Sequence, residues 1–188
     1  MEAPADLADP AVSSSTGRRF KMIDLIYDRT AADVNNLRAL LLKADIGGWE
    51  SFAPAEKEYW RRGDKPDGVV RGAYNYTDYN RVGAAVAWLS AELAERGYIA
   101  DVEPKTDWVA SDIPTPVQLD KYLNDIREIR TALTLMPDTP LPPDTMRHFG
   151  WQGANDIEKI LVDIEDTISR LYLSSWVCGE VYSGEATL

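Results

Sequence analysis

Apolar residues recur at spacings of three and four in four separate stretches of the chain, the period of helices that bury one face. The first stretch, about 31–44, carries Val34, Leu37, Leu41 and Leu42 after Thr30, which opens a capping box with Asp33 in the acidic slot. The second, about 77–96, sets Tyr79, Val82, Val86, Leu89 and Leu93 in the alternating rhythm of a helix packed nearly parallel to another. Asn75 or Thr77 caps its start, Arg81 is placed to pair with Asp78, and Gly97 supplies a C-cap. The third begins at Thr115-Pro116-Val117-Gln118, a full capping box with proline at the first helical position. Leu119, Tyr122, Leu123, Ile126, Ile129 and Leu133 follow on one face until Pro137 ends the helix near Met136. The fourth, about 154–176, aligns Ile157, Ile160, Leu161, Ile164, Ile168 and Leu171. These patterns predict a mainly α fold, a four-helix bundle-like domain over 22–188 with short extended segments.

Punctuation between the stretches sharpens the outline. Gly47-Gly48 closes the first helix, and a short helical turn over 54–61 starts on Pro54. RGDKPDG at 62–68 is a polar loop, and PDTPLPPD at 137–144 a rigid extended connector. Alternation at Ile23, Leu25 and Tyr27 and a short apolar run from Tyr98 to Val102 suggest brief strand-like pieces. Residues 1–21 are rich in Ala, Pro, Asp and Ser, with too little apolar content to repay ordering, and read as a flexible leader or anchoring arm. The Gly-punctuated run 177–188 reads as a strand or tail.

Charge narrows the partners. Twenty Lys and Arg stand against 31 Asp and Glu, a net charge of −11, so phosphate backbones and anionic headgroups are repelled and neither nucleic acid nor membrane is expected as a partner. Hydrophobic residues form 45% of the chain, enough for a core without disulfides. Cys178 is the single cysteine, so an intrachain disulfide framework is impossible. The first residues lack the positive start and apolar centre of a secretory signal, which predicts a protein made in a cytoplasm.

Candidate chemistry is sparse, and neither catalysis nor a cofactor or metal is expected. His148 is the single histidine, follows the proline-rich connector, and reads as a surface or gap-filling residue. Asp156, Glu158, Asp163, Glu165 and Asp166 share one helix without a partner histidine, so they read as a solvated face rather than a metal site. Phosphate and calcium loop patterns find no match.

Six tryptophans invite a different reading. Trp88 and Trp176 fall within helices and belong to the core. Trp49, Trp60, Trp108 and Trp151 fall in or beside loops, where they either plug the ends of the bundle, contact another protein, or stack on a sugar. The entry to the second long helix, with Tyr74, Asn75, Tyr76, Asp78, Tyr79 and Arg81, is the most specific-looking polar and aromatic segment. These ten residues form the expected interface.

GAYNYTDYNRV at 72–82 resembles a pattern in uncharacterised structural proteins encoded in phages and prophages of gut Firmicutes. Thr30–Val34, Trp49 with the Glu56…Trp60 turn, Lys105–Trp108, Asp112–Thr115, Tyr122-Leu-Asn, Ala154–Ile160 and Tyr182–Glu185 extend the resemblance over about 23–185. It implies a virion component of the tail, baseplate or fibre region, packed against other virion proteins or copies of itself. A host-surface glycan is the alternative partner. The family carries no enzymatic motif, so no catalytic residue is transferred.

Overall fold

The computed structural model describes the backbone of residues 24–62 and 70–180, and the side chains of 24–61 and 70–171. The expected leader, most of the 62–68 loop, the side chains of Trp176 and Cys178, and residues 181–188 lie outside the described residues, while 177–180, expected as a strand or tail, continue a helix.

Among the described residues five helices follow one another: α1 (Ala31–Gly47), α2 (Pro54–Arg62), α3 (Tyr76–Ala94), α4 (Pro116–Thr131) and α5 (Trp151–Glu180). A single 3-10 turn, Trp49–Ser51, joins α1 to α2. The protein is mainly helical with bundle-like packing, and no strand occurs among the described residues: the 24–30 and 98–102 segments run without partner strands. Helix starts follow the sequence closely. Thr30 with Asp33, Asn75 with Asp78 and Thr115 with Gln118 each form reciprocal capping boxes, satisfying amides that a helix start leaves unpaired. After α3 the chain reverses at Gly97 (φ 81), and the Tyr98 amide donates back to the Leu93 carbonyl at 3.0 Å.

The core belongs to three helices. Val82, Val86, Leu89 and Leu93 of α3 meet Leu123, Ile126 and Ile129 of α4 and Ile157, Ile160, Leu161 and Ile164 of α5, all buried in one cluster. Each such side chain contributes roughly 1.5–3 kcal/mol of transfer free energy, so this seam dominates the stability. The stripe of α5 leaves the core after Ile168, and Leu171 is already partly exposed. α4 stops at Thr131, earlier than Pro137 requires. Its last two turns are used instead to hold the connector: Arg127 donates to the Pro143 and Asp144 carbonyls, and Arg130 to those of Thr139 and Pro140.

α1 departs from the expected role. Its apolar stripe is present, but none of its residues is buried, and Leu41 and Leu42 are 48% and 63% exposed. It lies on the segment before α3 rather than within the core. A Cβ at Gly72 would sit 2.4 Å from the Asp33 carbonyl oxygen and 2.7 Å from the Leu37 Cβ, so only glycine permits this approach. Residues 24–62 thus form an arm laid against a three-helix body.

Candidate interaction face and the ionic cluster that sets it

The arm is tied to the body by its extended lead, residues 24–30. Leu25 packs on the core, Ile26 is buried, and the chain then delivers Arg29 into the gap between α3 and α5. There the Arg29 Nη2 donates to Glu158 Oε1 at 2.7 Å and to Asp78 Oδ1 at 2.9 Å. Arg81, one turn beyond Asp78 on α3, donates to the same two carboxylates, reaching Glu158 Oε1 at 2.9 Å. The second oxygen of Glu158 accepts the Ile26 amide, and that of Asp78 accepts the Asn75 amide at 2.9 Å. Asn155 completes the tie through its side-chain amide, accepting from the Arg29 N–H at 3.0 Å and donating to the Arg29 carbonyl at 2.9 Å.

Two cations and two carboxylates cancel, which is what makes such deep burial tolerable. Burial opposes the charge of Arg81, but hydrogen bonds and attraction from Glu158 and Asp78 outweigh it and hold the guanidinium above its ordinary value. Beside the cluster, the Tyr74 and Tyr122 hydroxyls share a 2.5 Å hydrogen bond, and burial drives both phenols well above the usual tyrosine value. Both phenols stay protonated.

Glu158 corrects the expectation of a uniformly solvated acidic face. Asp166 is exposed and Asp156, Asp163 and Glu165 are half-buried, whereas Glu158 is fully buried as the acceptor for two arginines. Arg29 carried no signal in the sequence at all, because a lone arginine in an extended segment has no periodic partner. The expected Arg81–Asp78 pair does form, and Asn75 rather than Thr77 is the cap.

The ten expected interface residues divide into three groups. Trp108 and Asp78 are buried, at 5% and 2% exposure, so neither presents a contact surface. Trp108 is fixed by Asn80, which accepts its amide and donates to its carbonyl, both at 2.8 Å, and its ring lies 5.4 Å from Tyr79. Tyr74 and Tyr79 pack half-buried against the core, half-buried Arg81 is spent on the cluster, and Trp151 stands half-buried at the start of α5.

The remaining four gather on the arm and where it meets the start of α3. Trp60, Asn75 and Tyr76 line a pocket of about 360 Å³ together with Leu37, Leu41 and Val70. Trp49 lies at the end of α1, 38% exposed, edge-on to Phe52 at 5.4 Å, with Lys57 and Arg61 each 5.5 Å from its ring centre. Phe52, which the sequence pattern did not single out, is the buried centre of this group and also packs on Trp60 at 5.8 Å. Leu42 and Ile46, four apart on α1, project outward, with Ile46 at 88% exposure. The arrangement offers apolar and aromatic contact area with cations at its edge.

Among the described residues no group of three or more His, Cys, Asp or Glu side chains could hold a metal ion, and no helix is long and apolar enough to cross a membrane. Comparison of the chain with known families, curated proteins and solved structures finds no match.

Proposed function

We propose that this protein is a non-enzymatic interaction module, a structural subunit of the kind that packs against its neighbours in a phage tail, baseplate or fibre. The carrying observation is α1 with the turn after it: a helix with an apolar stripe, no buried residue, and Leu41, Leu42 and Ile46 open to solvent, followed by an exposed Trp49. A monomer gains nothing from displaying that set, whereas a contact surface is built from such aliphatic, aromatic and arginine side chains. The resemblance of the 72–82 segment to phage structural proteins supplies the virion context. A sugar-stacking platform has lost Trp108 to burial, and the cations beside Trp49 would have to be displaced before a glycan could stack there.

The test is composition of the particle. Mass spectrometry of virions purified from a strain carrying this gene should recover the chain in fixed ratio to the other structural proteins. Leu42→Asp with Ile46→Asp should reduce its incorporation at least tenfold without changing its amount in the cell. Absence of the wild-type chain from virions rejects the proposal.

A further inference from the structure

We infer that residues 18–23, Arg-Arg-Phe-Lys-Met-Ile, dock in the groove between α3 and α5 of their own chain, prolonging the lead that already lies there. The first argument is direction. After α3 the chain returns along it, from Ala100 beside Ser90 to Trp108 beside Asn80, and the connector returns along α4, from Pro140 on Arg130 to Pro143 on Arg127. All three body helices therefore start at one end, where Tyr122 packs on Tyr79 at 5.2 Å and Phe149 on Tyr74 at 5.0 Å. The lead runs against them. Arg29 is held by Asn155 and Ile26 by Glu158, so each earlier residue lies farther along α5. The chain before Asp24 is thereby aimed down the α3–α5 groove.

The second argument is complementarity. Helical spacing carries the Asn155–Glu158 face of α5 on to Val162, Glu165 and Asp166, and the Asp78–Arg81 face of α3 on to Ala85 and Trp88. These five positions bring two carboxylates, half-buried apolar surface at Val162 and Trp88, and no cation. Residues 1–23 hold three basic side chains, and all three, Arg18, Arg19 and Lys21, fall just before the lead, set among Phe20, Met22 and Ile23. The segment thus matches the groove in charge and in apolar content. Six extended residues span about 20 Å, enough to follow the helix from residue 158 to 169, about 17 Å. Being tethered at Asp24, the segment meets this groove at an effective concentration on the order of millimolar, which favours its own chain over a second copy.

The full chain carries its own probe, because trypsin cuts after Arg18, Arg19 and Lys21. Glu165→Lys with Asp166→Lys should speed cleavage there about tenfold by releasing the segment. Asp120→Lys with Glu128→Lys, at two exposed positions of α4, should leave the rate unchanged. A photo-crosslinker at position 20 of the full chain should join residues 85–92 or 162–169. In a mixture of isotopically light and heavy protein, those links should stay within one chain. Their yield should fall with the reversal at 165 and 166, and return when Arg18→Glu, Arg19→Glu and Lys21→Glu are added.

Cleavage and yield unmoved by the reversal overturn the inference. So do crosslinks into α1, α2 or α4, links between light and heavy chains, or no crosslink at all.

Discussion

The arm and the body are built from the same kind of amphipathic helix, yet they are held by different forces. In the body, α3, α4 and α5 interlock through aliphatic side chains that are almost wholly inaccessible to water. In the arm, α1 has no fully buried residue and is positioned by its lead, through Arg29 and the paired bonds of Asn155, and by the close seating of Asp33 over Gly72. A helix can thus be placed accurately by a polar tie at one end while its apolar stripe is kept for another use. Amphipathic patterning shows that a face will be covered, but not by what.

The comparison can be broken most forcefully at Glu158. Glu158→Ala leaves Arg29 and Arg81 sharing a single carboxylate in a buried site, and should cost about 3–5 kcal/mol, read as a lowered urea midpoint. The loss should appear in arm and body together, since the cluster belongs to both. Next in size is Leu89→Ala, a fully buried truncation expected to cost about 2–5 kcal/mol with the whole molecule unfolding in one earlier transition. Gly72→Ala should separate the two regions: the added Cβ must displace the Asp33 carbonyl, at about 1–3 kcal/mol. Hydrogen exchange should then speed up along α1 while α3 to α5 keep their protection.

Acid should act most gently, and on the arm first. Hydrogen bonds from Thr30 to Asp33 and from Lys43 to Glu56 hold both carboxyls below their ordinary values of 3.8 and 4.5. A carboxyl with a lowered folded pKa contributes stability above its ordinary value and loses it as pH falls through the folded one. Amide exchange in α1 and α2 should therefore rise below about pH 4, ahead of any change in α3 to α5. Simultaneous loss of both regions would count against a separately anchored arm.

Much of this division was legible in the residues, and the rest was hidden for identifiable reasons. The caps at Thr30, Asn75 and Thr115 depend on three or four adjacent residues, so local sequence reveals them. The seam of α3 is equally plain, because Val82 to Leu93 keep one period throughout. The place of α1 is not legible, because Val34, Leu37 and Leu41 have the same spacing as residues of the buried helices, and nothing local distinguishes a stripe that meets a core from one that lies at the surface. Glu158 gives no local sign of its burial, because the acids that share its helix, Asp163, Glu165 and Asp166, all keep some exposure to water. Its burial becomes tolerable through Arg81 and through Arg29, 129 positions away in sequence. The aromatic group on the arm was visible as Trp49 and Trp60, but its centre, Phe52, lies in a two-residue break between helical turns where no periodicity applies.

The side chain of Asn155 grips Arg29 only by its main-chain N–H and C=O, as a neighbouring strand would. Such a grip fixes where the backbone runs without inspecting the side chains on either hand. Along the lead, Ile26 and Arg29 face the body and are constrained, while Tyr27 and Asp28 face solvent. Asp28 is engaged there by Arg71 at 2.5 Å, so Tyr27 is the position open to change within a firmly held segment, suited to carry a label, a crosslinker or a new recognition element without loosening the arm.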